Sequence, residues 1–70
     1  MPIVIAPLET ELTIVKLLAD EKTKKHLQSL GIAVNGKITV LSSQGGNVIC
    51  IVKGVRIGLN RELATKILVA

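Results

Sequence analysis

Cys50 and His26 are the only thiol and the only imidazole in this 70-residue chain, so soft-metal or nucleophilic chemistry would have to start from them. A closed metal site draws three or four ligands from thiolates, imidazoles and carboxylates. Asp20, Glu21 and His26 stand near enough in sequence to hold a divalent ion weakly, yet the inventory falls short of a closed site. Cys50 alternates with Val48 and Val52 along one strand face and reads as a small buried apolar residue. His26, beside Lys25, reads as solvated. Nucleophilic catalysis needs a nucleophile, a base and an orienting acid, which one His, one Cys and scattered Ser and Thr do not supply. Gly45-Gly46 lacks the Lys-Ser or Lys-Thr and the helix that follow a phosphate-binding loop. The expectation is a protein that is not an enzyme.

Composition narrows what it binds. Phe, Tyr and Trp are all absent, which removes the ring platforms on which small barrels stack bases or hold proline-rich peptides. Residues 1–21 carry four acids and one base, whereas residues 22–70 carry eight bases and one acid, so one face should be basic. That face is drawn from Lys22, Lys24, Lys25, Lys53, Arg56, Arg61 and Lys66. A single cysteine allows no internal disulfide and fits a reducing compartment, the cytosol by default. The longest apolar run, Val48 to Val52, is far short of the roughly 18 residues of a spanning helix, so no membrane insertion is expected. The opening run from Met1 to Pro7 has no basic leader and is not read as a secretory signal.

The elements that would position these residues follow from turn and cap chemistry. Asp20 is a fair N-cap for a helix over Glu21 to Leu30, and Gly31 stops it, because only glycine enters the left-handed C-terminal position without a Cβ penalty. Thr23, Leu27 and Leu30 share one helix face, Lys24, Lys25 and Gln28 lie on others, and Glu21 can pair with Lys25 at i, i+4. So short a helix must be anchored by Leu27 and Leu30. The remainder reads as strands. Glu11 to Leu18 places Leu12 and Ile14 on one face and Thr13, Val15 and Leu17 on the other. A turn at Val34-Asn35-Gly36 launches Lys37 to Ser42, Ser43 to Asn47 turns into Val48 to Val52, and Lys53-Gly54 returns Val55 to Leu59. In that last strand Val55, Ile57 and Leu59 point inward, Arg56 points outward and Gly58 marks a bend. A helical turn over Arg61 to Lys66 precedes a closing strand at Ile67 to Val69. The chain is one domain, residues 1–70, mainly β, a small barrel with one helix over an opening. Nearly every one of its 27 Ile, Leu and Val residues must be buried, in the core or against a partner, so a homo-oligomer is open.

Leu27 with Leu30-Gly31-Ile32, the Val34-Asn35-Gly36 turn, Ile38, Val40, Gly45-Gly46, Val48 and Gly54 form an ordered series of glycines and aliphatics. With the ending Ile57-Gly58-Leu59-Asn60-Arg61-Glu62-Leu63-Ala64-Thr65-Lys66-Ile67-Leu68-Val69, that series resembles the ferrous iron transport protein A (FeoA) family over nearly the whole chain. The resemblance implies a five-stranded SH3-like barrel with one short α-helix between strands 1 and 2 and a helical turn before the last strand. Asn35 and Asn60 stand where the family more often has Pro and Arg, and Glu9 where it tends to turn on Gly. Asn35-Gly36 remains a sound turn, whereas Asn60 removes a positive charge that could have met a partner.

By that resemblance the chain is a non-enzymatic cytoplasmic accessory of a FeoB-type ferrous iron transporter, a membrane protein with a cytoplasmic GTP-binding domain. Its expected contacts are Lys24, Lys25, Lys53 and Arg56, docking onto the cytoplasmic part of the transporter or onto a second copy. Ferrous iron as a bound cofactor is not supported by the ligand count. An arginine finger offered to a partner GTPase needs one rigid Arg at a tip, for which Arg56 or Arg61 qualifies in principle. The alternatives are a small basic nucleic-acid-binding barrel, a metal-responsive regulatory domain like the barrel appended to metal-dependent repressors, and a weak transition-metal-binding protein. Without aromatic platforms no nucleic acid is expected.

Overall fold

Two tight turns set the register of one side of the sheet in a computed structural model that describes residues 1–70. Gly45 and Gly46 have φ of 59° and 86°, and Lys53 and Gly54 have 52° and 77°. Positive φ at both central residues makes the turn whose twist matches that of paired strands. The first turn joins β2 (Lys37–Gln44) to β3 (Asn47–Val52), pairing Gln44 with Asn47, and the second joins β3 to β4 (Val55–Leu59), pairing Val52 with Val55. Ser43 and Gln44 therefore belong to β2 and not to the turn, since the two glycines suffice to reverse the chain. Before β2 come a 3-10 turn (Ile3–Ile5), β1 (Glu11–Leu17) and α1 (Glu21–Ser29), and after β4 come α2 (Arg61–Ala64) and β5 (Ile67–Val69). The antiparallel order is β4-β3-β2-β1-β5.

β1 is shared between two partners. Its first half pairs with β2, from Glu11 opposite Thr39 to Thr13 opposite Lys37, and its second half pairs with β5. Ile14 faces Val69 while Lys16 faces Leu68, which leaves Val15 unmatched as a bulge. The extra residue resets the alternation, so Leu17 is buried with Leu12 and Ile14, and Val15 is 45% exposed. The expected grouping of Leu17 with Thr13 and Val15 is thus corrected. A second register shift falls at Leu41, between Val40 and Ser42. These two shifts carry the irregularity of the sheet. Gly58 sits in unbroken register opposite Ile49. Val55, expected inward, is 59% exposed at the rim beside the turn, and burial in β4 is complete only at Leu59.

The core is aliphatic apart from Cys50. Its least anticipated member is Ile3, which the 3-10 turn inserts with no exposed surface. Ser43 Oγ donates to the Val4 carbonyl oxygen at 3.0 Å, and Pro2 bridges Leu68, so this turn is fastened to both β2 and β5.

The chain enters β1 through Glu9, whose φ is 58° and whose N–H donates to the Val40 carbonyl oxygen at 2.7 Å. A left-handed residue with a Cβ is strained by about 1–2 kcal/mol, of which glycine's larger unfolded-state entropy takes back part. Glu9→Gly should therefore stabilise the protein by about 0.5–1 kcal/mol, read as a higher urea midpoint at unchanged slope.

Candidate docking surface

α1 is closed at both ends by its own sequence. Asp20 Oδ1 accepts from the Thr23 N–H at 2.8 Å, and hydrogen bonding to Thr23, from its side chain first and from this N–H second, holds the Asp20 carboxyl below its ordinary value. At the other end the Ile32 N–H reaches the Leu27 carbonyl oxygen and the Gly31 N–H that of Gln28, both at 2.9 Å, with Gly31 at φ 91°. This is the paired-bond glycine stop. It also brings α1 against the β3–β4 turn: a Cβ on Gly31 would lie 3.2 Å from Val52 Cγ1 and 3.9 Å from Lys53 Cδ.

At about 100° per residue, Lys24 borders the stripe of Leu27 on the side that runs toward Gly31, whereas Lys25 lies nearly opposite the buried stripe. Burial agrees, with Lys24 half-buried and Lys25 exposed. Lys24 Nζ lies 3.8 Å from Glu21 Oε1, so Glu21 pairs at i, i+3 and not with Lys25 as expected. Of the four expected contact residues, Lys53 borders the junction of helix and turn, and Lys24 lies on the same side of α1 about two turns before it. Arg56 is exposed two residues beyond that turn, opposite Ile51, and Lys25 projects away from the barrel. The Glu21–Lys24 contact is the one ion pair in the protein, leaving Lys53 and Arg56 without a carboxylate.

Arg61 lies at another corner. Its stem crosses the β2–β3 turn so closely that a Cβ on Gly46 would stand 2.6 Å from Arg61 Cγ and Cδ. The Arg61 N–H donates to Asn47 Oδ1 at 2.9 Å, and Asn60 Oδ1 accepts from the Leu63 N–H at 3.0 Å. Asn60 is therefore the cap of α2, a role legible from an Asn preceding a helical turn. Gly45, Asn47, Asn60, Arg61 and Glu62 line an open polar depression of about 440 Å³.

Asp20, Glu21 and His26 do not converge. One Asp20 oxygen is engaged in the cap, Glu21 turns to Lys24, and no three His, Cys, Asp or Glu side chains meet anywhere in the protein. Cys50 is fully buried, its Sγ 3.6 Å from the Ile57 carbonyl oxygen, and burial pushes its thiol up to about 11. It is neither ionised at neutral pH nor reachable.

A five-stranded antiparallel sheet in the order β4-β3-β2-β1-β5, wrapped around one aliphatic core with a short helix between β1 and β2, defines an SH3-like domain. The FeoA domain model matches residues 1–70. Over 68 residues the chain is 35% identical to a protein of Methanocaldococcus jannaschii named "Putative Fe(2+) transport protein A", a match covering 97% of this chain and 83% of that one. The crystal structure of an iron uptake regulatory protein (FeoA) superposes with a TM-score of 0.89 at 26% identity, covering 99% of this chain and 93% of that one. ScaR with bound Zn2+ contains the same fold, with a TM-score of 0.87 at 18% identity over 99% of this chain and 35% of that one. The chain belongs to the FeoA family, non-enzymatic accessory proteins of ferrous iron transport. No helix in it is long and apolar enough to cross a membrane.

Proposed function

We propose that this chain is a cytoplasmic adaptor of ferrous iron uptake that docks on the cytoplasmic part of a FeoB-type transporter. The observation that carries the reading is the β3–β4 hairpin, which presents Lys53 and Arg56 with no carboxylate partner on a barrel of this family. Docking draws affinity from the exposed aliphatics and its approach rate from the basic groups, which suits a partner whose contact surface is acidic. Lys24 and Lys25, on the helix, add to the long-range field. The adaptor needs no metal of its own: the iron is the transporter's cargo, and Asp20 and Glu21 serve the helix.

Charge reversal separates these roles. In a pull-down with the transporter's cytoplasmic domain, Lys53→Glu with Arg56→Glu should weaken capture at least about tenfold, and Lys25→Glu by no more than about threefold. If all four positions, Lys24 included, can be reversed with capture unchanged, the contact assignment is wrong.

A further inference from the structure

β4 ends the sheet, and its register with β3 determines which of its backbone groups are free. Val52–Val55 flanks the two-residue turn and is a hydrogen-bonded pair, so Ile51–Arg56 and Ile49–Gly58 are non-hydrogen-bonded pairs. The N–H and C=O of Arg56 and Gly58 therefore point away from β3, and no turn, loop or cap hydrogen bond uses them. Of the devices that usually blunt such an edge, β4 carries the charge of Arg56 and lacks others. β4 has no proline and no bulge, and a Cβ on Gly58 would meet nothing within 4 Å. Along the outward face of this edge stand Arg56 and the gap at Gly58, beside the partly exposed Ile51 and Ile49 of β3. On the other face lie Val55, 59% exposed, and the half-buried Ile57.

We propose that the β4 edge receives an extended segment of a partner protein as an added antiparallel strand, reading apolar, bulky apolar, apolar, acidic, apolar from its N-terminus. The main chain of the segment pairs with Arg56 and Gly58. Its acidic residue lies opposite Arg56, and its bulky residue fills the space at Gly58 and covers Ile49. Its remaining apolar residues meet Val55, Ile57 and Leu59 on the other face. Charge selects this occupant over a second copy. The chain has a net charge of +4, and β4 brings Arg56 with Lys53 beside it but no acid. The segment refines how the proposed adaptor docks and rests on that reading for its source, though its chemistry comes from the edge alone.

The test is a 15N NMR titration of the full chain with a capped peptide carrying Val-Phe-Val-Glu-Val between Ser-Gly flanks. The expected result is a set of shifts centred on the Arg56 and Gly58 amides, with their hydrogen exchange slowed. Arg56→Glu should weaken binding about tenfold and transfer the preference to Val-Phe-Val-Lys-Val. Gly58→Pro removes an outward N–H that the fold does not use and should abolish binding while the remaining cross-peaks persist. Shifts centred on α1, or affinity indifferent to Arg56→Glu, overturn the proposal. So does movement of the β4 amides on raising protein concentration without peptide, which makes a second copy the occupant. In a parallel titration with the transporter's cytoplasmic domain, peptide binding without domain binding sinks the adaptor reading alone. Domain binding that leaves β4 unmoved overturns the edge proposal alone.

Discussion

Leu27→Ala should remove about 2–5 kcal/mol of unfolding free energy, the usual range for truncating a fully buried leucine. A domain of this size holds only about 4–10 kcal/mol in total, so the variant sits at the edge of unfolding. Leu27 is without exposed surface, and its carbonyl oxygen accepts from both the Leu30 and the Ile32 N–H, at 3.0 and 2.9 Å. It is thus at once the anchor of α1 and the acceptor of its glycine stop. The short α1 cannot persist in water without tertiary contacts. Loosening Leu27 also frees the helix end that Gly31 holds against Val52, so the amides of Lys53 and Gly54 should exchange faster as well. Urea unfolding followed by circular dichroism reads the effect, with Leu18→Ala, at a 49% exposed position, as the control. A loss under about 1 kcal/mol would mean that α1 is held by something other than Leu27.

Ile3→Ala should cost a similar amount, about 2–5 kcal/mol, although Ile3 belongs to no strand or α-helix. The 3-10 turn places Ile3 fully inside while Ile5, two residues on, is 70% exposed. Ile5→Ala should therefore change stability by no more than about 0.5 kcal/mol. Comparing the two urea midpoints tests whether the opening segment is part of the core or merely rests on it. Equal midpoints for both variants would place the segment outside the core.

Features governed by local backbone chemistry were legible in the sequence. Gly31 after Leu30 announces the helix stop, Asp20 its cap, and Gly45-Gly46 and Lys53-Gly54 the tight turns. Features governed by distant partners were not. Leu17 changes face because β1 leaves β2 for β5 at Val15, and no period-2 reading of β1 contains that exchange. Val55 is apolar and alternates correctly with Ile57, yet the barrel ends before covering it. The opening run Ile3-Val4-Ile5 carries no periodicity from which its plugging role could be inferred. Among the contact residues the sequence supplied the charges, while the choice of Lys24 over Lys25 as partner of Glu21 depended on helix geometry.

On the adaptor reading, the contribution of this FeoA-family barrel to iron uptake is made by docking on the transporter. The most direct measurement is calorimetric titration of the wild-type chain into the purified cytoplasmic domain of a FeoB-type transporter at low and at high salt. Saturable binding that weakens as salt rises is expected, because the proposed docking sets Lys53 and Arg56, which have no carboxylate partner, against an acidic surface. Absence of binding at low salt, or affinity that salt leaves untouched, would contradict it.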